Sequence, residues 1–113
     1  MRADRDRLFD IVEAITKIER YAGRGKEAFE RDELVQTWMV HHIQVIGEAA
    51  SGLSPEFRQR RSAIPWREII AMRNLLVHEY FGIDTRTVWN VVERDLPRLK
   101  ATIQRLLDAP EKS

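Results

Sequence analysis

Arg73-Asn74-Leu75-Leu76-Val77-His78-Glu79-Tyr80 is the stretch of this chain whose residue types could do chemistry together. If it is helical, at about 100° per residue Tyr80, Arg73, Val77, Asn74 and His78 share one arc of roughly 160°. Asn74 and His78, four apart, become near neighbours. The set suits RNA cleavage without a metal. In that reaction a ribose 2′-hydroxyl loses a proton and attacks the adjacent phosphorus, and the departing 5′-oxygen gains a proton. An imidazole with an ordinary pKa of about 6.5 can serve as base or acid near neutrality, which gives His78 its candidate role. The planar fork of Arg73 can hold charge on the phosphoryl oxygens, and Asn74 can orient the phosphate or the imidazole. One histidine cannot conveniently make both proton transfers in one step. A two-fold dimer that brings two copies of His78 to one cleft removes that difficulty. Spacing alone does not separate this reading from a helix whose polar side chains simply hydrogen-bond within the fold.

The elements that would position these residues follow from the apolar periodicity. A first helix capped by Asp4 or Asp6 carries Leu8, Ile11, Val12, Ile15, Ile18 and Ala22 at steps of three and four, and Gly23 and Gly25 end it. A second runs from about Lys26 or Asp32 to Ser51, with Leu34, Val35, Trp38, Met39, His42, Val45, Ile46 and Ala49 toward its apolar side. Ser54-Pro55-Glu56 has the cap, the first-turn proline and the acid that open a short helix. Pro65 restarts the chain as the motif helix. Its apolar residues nearly encircle it, which places it centrally in the bundle or at a subunit interface. After Gly82, Asp84 caps a long last helix through Leu107, in which Pro97 predicts a kink or short break with Asp95 able to recap. The expected fold is all-α: an up-and-down bundle of four main helices plus a short one. It is a single domain over 1–113, with a frayed tail from about 109.

Composition narrows the function classes. With 19 Lys and Arg against 18 Asp and Glu, the formal charge is +1, so RNA binding has to come from a local patch rather than a global field. The segment Glu56–Arg73 is such a patch: Arg58, Arg60, Arg61, Arg67 and Arg73 face only Glu56 and Glu68, and the first four are candidates for guiding RNA phosphates. Trp66, beside Pro65, reads as packing rather than base stacking. There is no cysteine, hence neither a disulfide framework nor a thiolate metal site. His41-His42 invites a metal reading. Adjacent helical residues diverge by about 100° and no further ligand stands at the usual spacing, so no metal site is expected there. No glycine-rich phosphate loop is present, and no cofactor is expected. The charged N-terminus and the lack of a long apolar run point to a soluble cytoplasmic protein without membrane contact. Gly47 inside a helix costs about 1 kcal/mol against alanine, which suggests close helix packing. Glu48 beside it is placed to pair with an arginine whose identity the sequence leaves open.

Arg73 to Tyr80 resembles the R-x4-H motif of HEPN domains, in the R-N-x3-H-x-Y form of the HepT-like toxins. Ile46-Gly47-Glu48-Ala49, Ile64-Pro65-Trp66, Phe81-Gly82-Ile83-Asp84, Val88-Trp89 and Asp95-Leu96-Pro97 extend the likeness over nearly the whole chain. The resemblance implies a HEPN-like helical homodimer whose two motifs meet at a cleft. It implies the toxin of a type II/VII-like toxin-antitoxin system, a metal-independent endoribonuclease with Arg73 and His78 catalytic and Asn74 in support. It also implies a minimal nucleotidyltransferase antitoxin as partner, in a hetero-oligomer with the dimer, that attaches AMP from ATP to Tyr80. Two other functions fit the same residues. One is a non-catalytic helical dimer that docks the nucleotidyltransferase. The other reverses the roles, with this chain as the antitoxin. The RNA cleaved, the number of AMP groups and the stoichiometry are not legible.

Overall fold

A computed structural model describes residues 3–77 and 84–109, the side chains of 74–77 excepted; His78, Tyr80 and the end of the tail lie outside the described residues. Every regular element among the described residues is helical. They are α1 (Asp4–Ala22), α2 (Lys26–Arg31), α3 (Glu33–Ser51), α4 (Pro55–Arg60), α5 (Trp66–Val77), α6 (Thr85–Asn90), a π-helical segment (Val91–Asp95) and α7 (Leu96–Asp108).

The core forms where the periodic stripes meet. Ile11, Ile15 and Ile18 of α1 interdigitate with Met39, Ile43 and Ile46 of α3, and Leu96 and Ile103 of α7 close over them; all are essentially inaccessible. Burying side chains of this size contributes roughly 1.5–3 kcal/mol each, the main term favouring the fold. α3 is the central helix, packed between α1 and α5, while α7 lies against α1. Polar ties reinforce these contacts. Trp38 Nε1 donates to the Lys17 carbonyl at 2.9 Å, Arg5 donates to the Leu107 carbonyl at 2.9 Å, and Lys100 pairs with Glu19 at 2.6 Å.

Several details depart from the sequence expectations. Both proposed starts of the second helix are used. α2 forms a short helix whose Phe29 ring lies 5.4 Å from that of Trp89, and Asp32 then caps α3 by accepting from the Leu34 and Val35 amides. Gly25 makes the preceding turn at φ +93°, where a side chain would be strained. Among the described residues α2 is thus a short helix in addition to the expected α4. Leu34, at the open first turn of α3, is 81% exposed and stands outside the core. Neither Asp4 nor Asp6 caps α1; Ala3 holds the cap position. Asp4 instead accepts from the Ser54 amide at 2.8 Å and its hydroxyl at 2.7 Å, so it clamps the turn ahead of α4.

Pro97 is accommodated without the expected recapping. Asp95 has helical backbone angles and makes no side-chain cap. The chain widens into the π segment instead, and the Leu96 amide reaches the Val91 carbonyl five residues back. A proline lacks the amide that would bond the carbonyl four residues earlier and crowds that carbonyl; a wider turn relieves both effects. α6, the π segment and α7 thus form one continuous helical path.

Candidate functional site

α5 begins after Pro65 and lays Trp66 and Ile69, 6% and 5% exposed, against α3. Among the described residues its main helix partner is α3, while Trp66 also meets Phe57 and the Arg61 carbonyl. Of the two positions its all-round apolar character allowed, the described contacts favour an edge of the bundle over its centre. Ile70 and Met72 are only partly covered within the chain.

Gly47 sets how closely the two helices approach. A Cβ placed on it would lie 2.8 Å from Arg73 Cβ, 3.5 Å from the Ile69 carbonyl oxygen and 3.6 Å from the Arg73 amide nitrogen. The close packing expected from a mid-helix glycine therefore occurs at the root of the Arg73 side chain. One residue later, Glu48 Oε1 accepts from Arg73 Nη1 at 3.0 Å. Adjacent residues of α3 thus fix Arg73 twice, one by admitting its backbone and one by holding its guanidinium. The Arg73 side chain is 28% exposed and that of Glu48 is 66% exposed. A guanidinium carries five donors. Among the described residues Arg73 donates one of these, to Glu48, and its side chain keeps partial exposure.

Asn74 lies on α5 by its backbone, and its side chain, like His78 and Tyr80, falls outside the described residues. The basic run separates into distinct environments. Arg61 stacks over the Phe57 ring at 4.2 Å, and its carbonyl accepts from Trp66 Nε1 at 3.1 Å. Trp66 is therefore a packed, hydrogen-bonded tryptophan, as its position beside Pro65 suggests. Arg60 is exposed on α4. Arg58 of α4 and Arg67 of α5 both line an open cleft of about 640 Å³ between α4 and the start of α5.

Among the described residues no cluster of three or more His, Asp or Glu could hold a metal ion. His42 is 6% exposed, with its ring 4.5 Å from that of Trp38 and 4.8 Å from that of His41. Its Nε2 makes no hydrogen bond to a described residue. Burial pushes its pKa below 6.5; His41, Lys17 and Arg20 push the same way and Glu13 opposes them. A histidine whose folded pKa is depressed takes up its proton more readily when unfolded. Its stabilising effect is complete above about 6.5 and is lost as the pH falls through that value toward the folded pKa. The urea midpoint is accordingly expected to drop between pH 7.5 and pH 5, and to drop less in His42→Phe. Equal acid sensitivity of the two proteins would assign the loss to other groups.

No helix among the described residues is long and apolar enough to cross a membrane. The family described as "Ribonuclease HepT-like" matches residues 11–106. The chain is 38% identical to the probable ribonuclease HepT of Thermococcus cleftensis, over 93% of this chain and 96% of that one. It is also 38% identical to a candidate RNase of Caldanaerobacter subterraneus subsp. tengcongensis, over 80% of each. A Methanocaldococcus jannaschii protein named for both gamma-glutamylcyclotransferase and RNase functions is 36% identical over 94% of this chain, which spans 48% of that longer relative. No solved structure matches.

Proposed function

Because the chain belongs to the ribonuclease HepT-like family, we propose that it is a ribonuclease toxin that cleaves RNA without a metal ion, in a cleft between two copies of itself. The observation that carries this reading is Arg73: fixed by Gly47 and Glu48, partly exposed, and five residues before His78. The dimer is supported by Ile70 and Met72 of α5, which are only partly covered among the described residues and which a second copy would bury further.

In the proposed reaction, one copy of His78 takes the proton from the 2′-oxygen, which bonds to phosphorus. The bond from phosphorus to the 5′-oxygen breaks, and the second His78 returns a proton to that oxygen. The products are a 2′,3′-cyclic phosphate and a 5′-hydroxyl. Charge that builds on the phosphoryl oxygens is met by Arg73, with Asn74 in support. A minimal nucleotidyltransferase partner would silence the site by transferring AMP from ATP to the Tyr80 hydroxyl, with release of pyrophosphate. The added phosphate would then occupy donors meant for the substrate.

The purified chain, incubated with total RNA in excess EDTA, is expected to yield fragments with cyclic phosphate ends. Intact RNA, from protein shown by mass to carry no AMP, would favour a non-catalytic dimer that docks the nucleotidyltransferase. Cleavage that EDTA abolishes would overturn metal independence alone.

A further inference from the structure

We propose that the cleft between α4 and the start of α5 is a subsite for the ribose-phosphate backbone of single-stranded RNA, with Arg58 and Arg67 as its two phosphate contacts; this rests on the ribonuclease reading above. The cleft is open, and its floor is built from apolar groups, Ile64 and Trp66, that the core holds fixed. Gln59 and Ser62 add exposed hydrogen-bonding groups to its lining. Arg58 comes from α4 and Arg67 from α5, and neither is in an ion pair found among the described residues. Glu68 also lines the cleft, next to Arg67, so the paired guanidiniums leave a modest positive excess. That suits a strand threaded past fixed donors better than an indiscriminate basic surface.

The cleft lining reaches Ile70 on α5, one turn before Arg73. At about 100° per residue, Ile70 and position 74 fall within about 60° of Arg67, while Arg73 stands roughly 9 Å along the axis and about 120° around it from Arg67, so a strand joining the two would wind around α5. A strand whose scissile phosphate lies at Arg73 would therefore pass Arg67 within a few nucleotides. Of the four arginines that the sequence nominates, the geometry selects two. Arg61 is committed to Phe57 and braces the wall, and Arg60 lies outside the cleft lining.

The test uses the full chain with His78→Ala, so that the probe survives, and a fluorescent single-stranded oligoribonucleotide titrated over a range of salt. Removing two phosphate contacts is expected to lower the slope of log affinity against log salt by about 1.4. R58Q/R67Q should therefore bind more than roughly tenfold more weakly at about 50 mM salt, whatever the base sequence. R60Q should bind like its parent, and thermal melts should show all the variants folded. An unchanged slope in R58Q/R67Q, an equal loss in R60Q, or no binding by the parent would overturn the proposal. So would a double variant that keeps RNA affinity but no longer captures the nucleotidyltransferase, since the cleft would then be a protein-docking site. Cleavage by the chain with His78 intact is scored separately. Its absence counts against the ribonuclease reading, whereas an unaltered salt slope counts against the cleft.

Discussion

His78→Ala is expected to lower RNA cleavage by about 10²–10⁴-fold, the usual contribution of a positioned acid or base, while the protein stays folded. Arg73→Ala is expected to cost about 10²–10³-fold, as does loss of one donor to a developing oxyanion. The two losses should not multiply. Groups that act on the same transition state fail as a unit, so the double variant is expected to cleave about as slowly as the worse single one. Single-turnover cleavage of one defined oligoribonucleotide, with the oligomeric state of each variant measured by light scattering, separates chemistry from assembly. If His78→Ala cleaves at the parental rate, the imidazole is not the acid or base and the proposed mechanism fails. A loss in Arg73→Ala that excess substrate restores would make Arg73 a binding group only, because uniform binding raises KM without touching kcat. Cell growth supplies an independent readout, since expression of the parent should arrest growth and expression of either variant should not.

Much of the architecture is legible in the sequence because it rests on local rules. The stripe Ile11, Ile15, Ile18, the caps at Asp32, Ser54 and Asp84, and the proline at the start of α4 each declare themselves within a few residues. What is not legible depends on partners far along the chain. Asp4 has every local mark of a cap, yet its carboxylate serves Ser54, 50 residues away. Glu48 needs an arginine, but helix phase cannot say which of several arginines α5 and α4 will deliver. Only the register of α3 against α5, set at Gly47, settles on Arg73. Pro97 signals a disturbance in the last helix; whether the helix breaks or widens depends on Val88, Val92 and Leu96, which stay buried on one continuous path through the π segment. The arginine run shows the same limit, because sequence proximity nominates four side chains and packing places them in different environments.

Gly47→Ala is expected to be nearly silent in stability and severe in activity. Two effects on stability oppose each other. Alanine gains about 1 kcal/mol of helix propensity over glycine. The new methyl would stand 2.8 Å from Arg73 Cβ, and overpacking of this kind costs typically 1–3 kcal/mol. The clash partner is the first atom of a side chain, not the far end of a flexible one, so no rotamer change can clear it and α5 itself must move. Trp66 and Ile69 anchor the start of α5, so the strain is expected to be relieved by a local shift of the helix around Arg73 rather than by unfolding. In the proposed reaction such a shift would carry Arg73 away from the scissile phosphate, and a shift of about 1 Å at a reacting group can cost about 10²-fold in rate. Glu48→Gln is the informative comparison. It preserves shape and packing, removes an ion pair whose carboxylate side is 66% exposed, and should change stability by less than about 1 kcal/mol. If the rate depends on where Arg73 stands, Gly47→Ala will lose far more activity than Glu48→Gln at matched stability, with the loss in kcat. If it depends chiefly on how the guanidinium is held, the order reverses. Full activity in Gly47→Ala would mean that the close approach of α3 and α5 serves the fold alone, and that Arg73 tolerates a range of positions no phosphoryl-transfer site should allow.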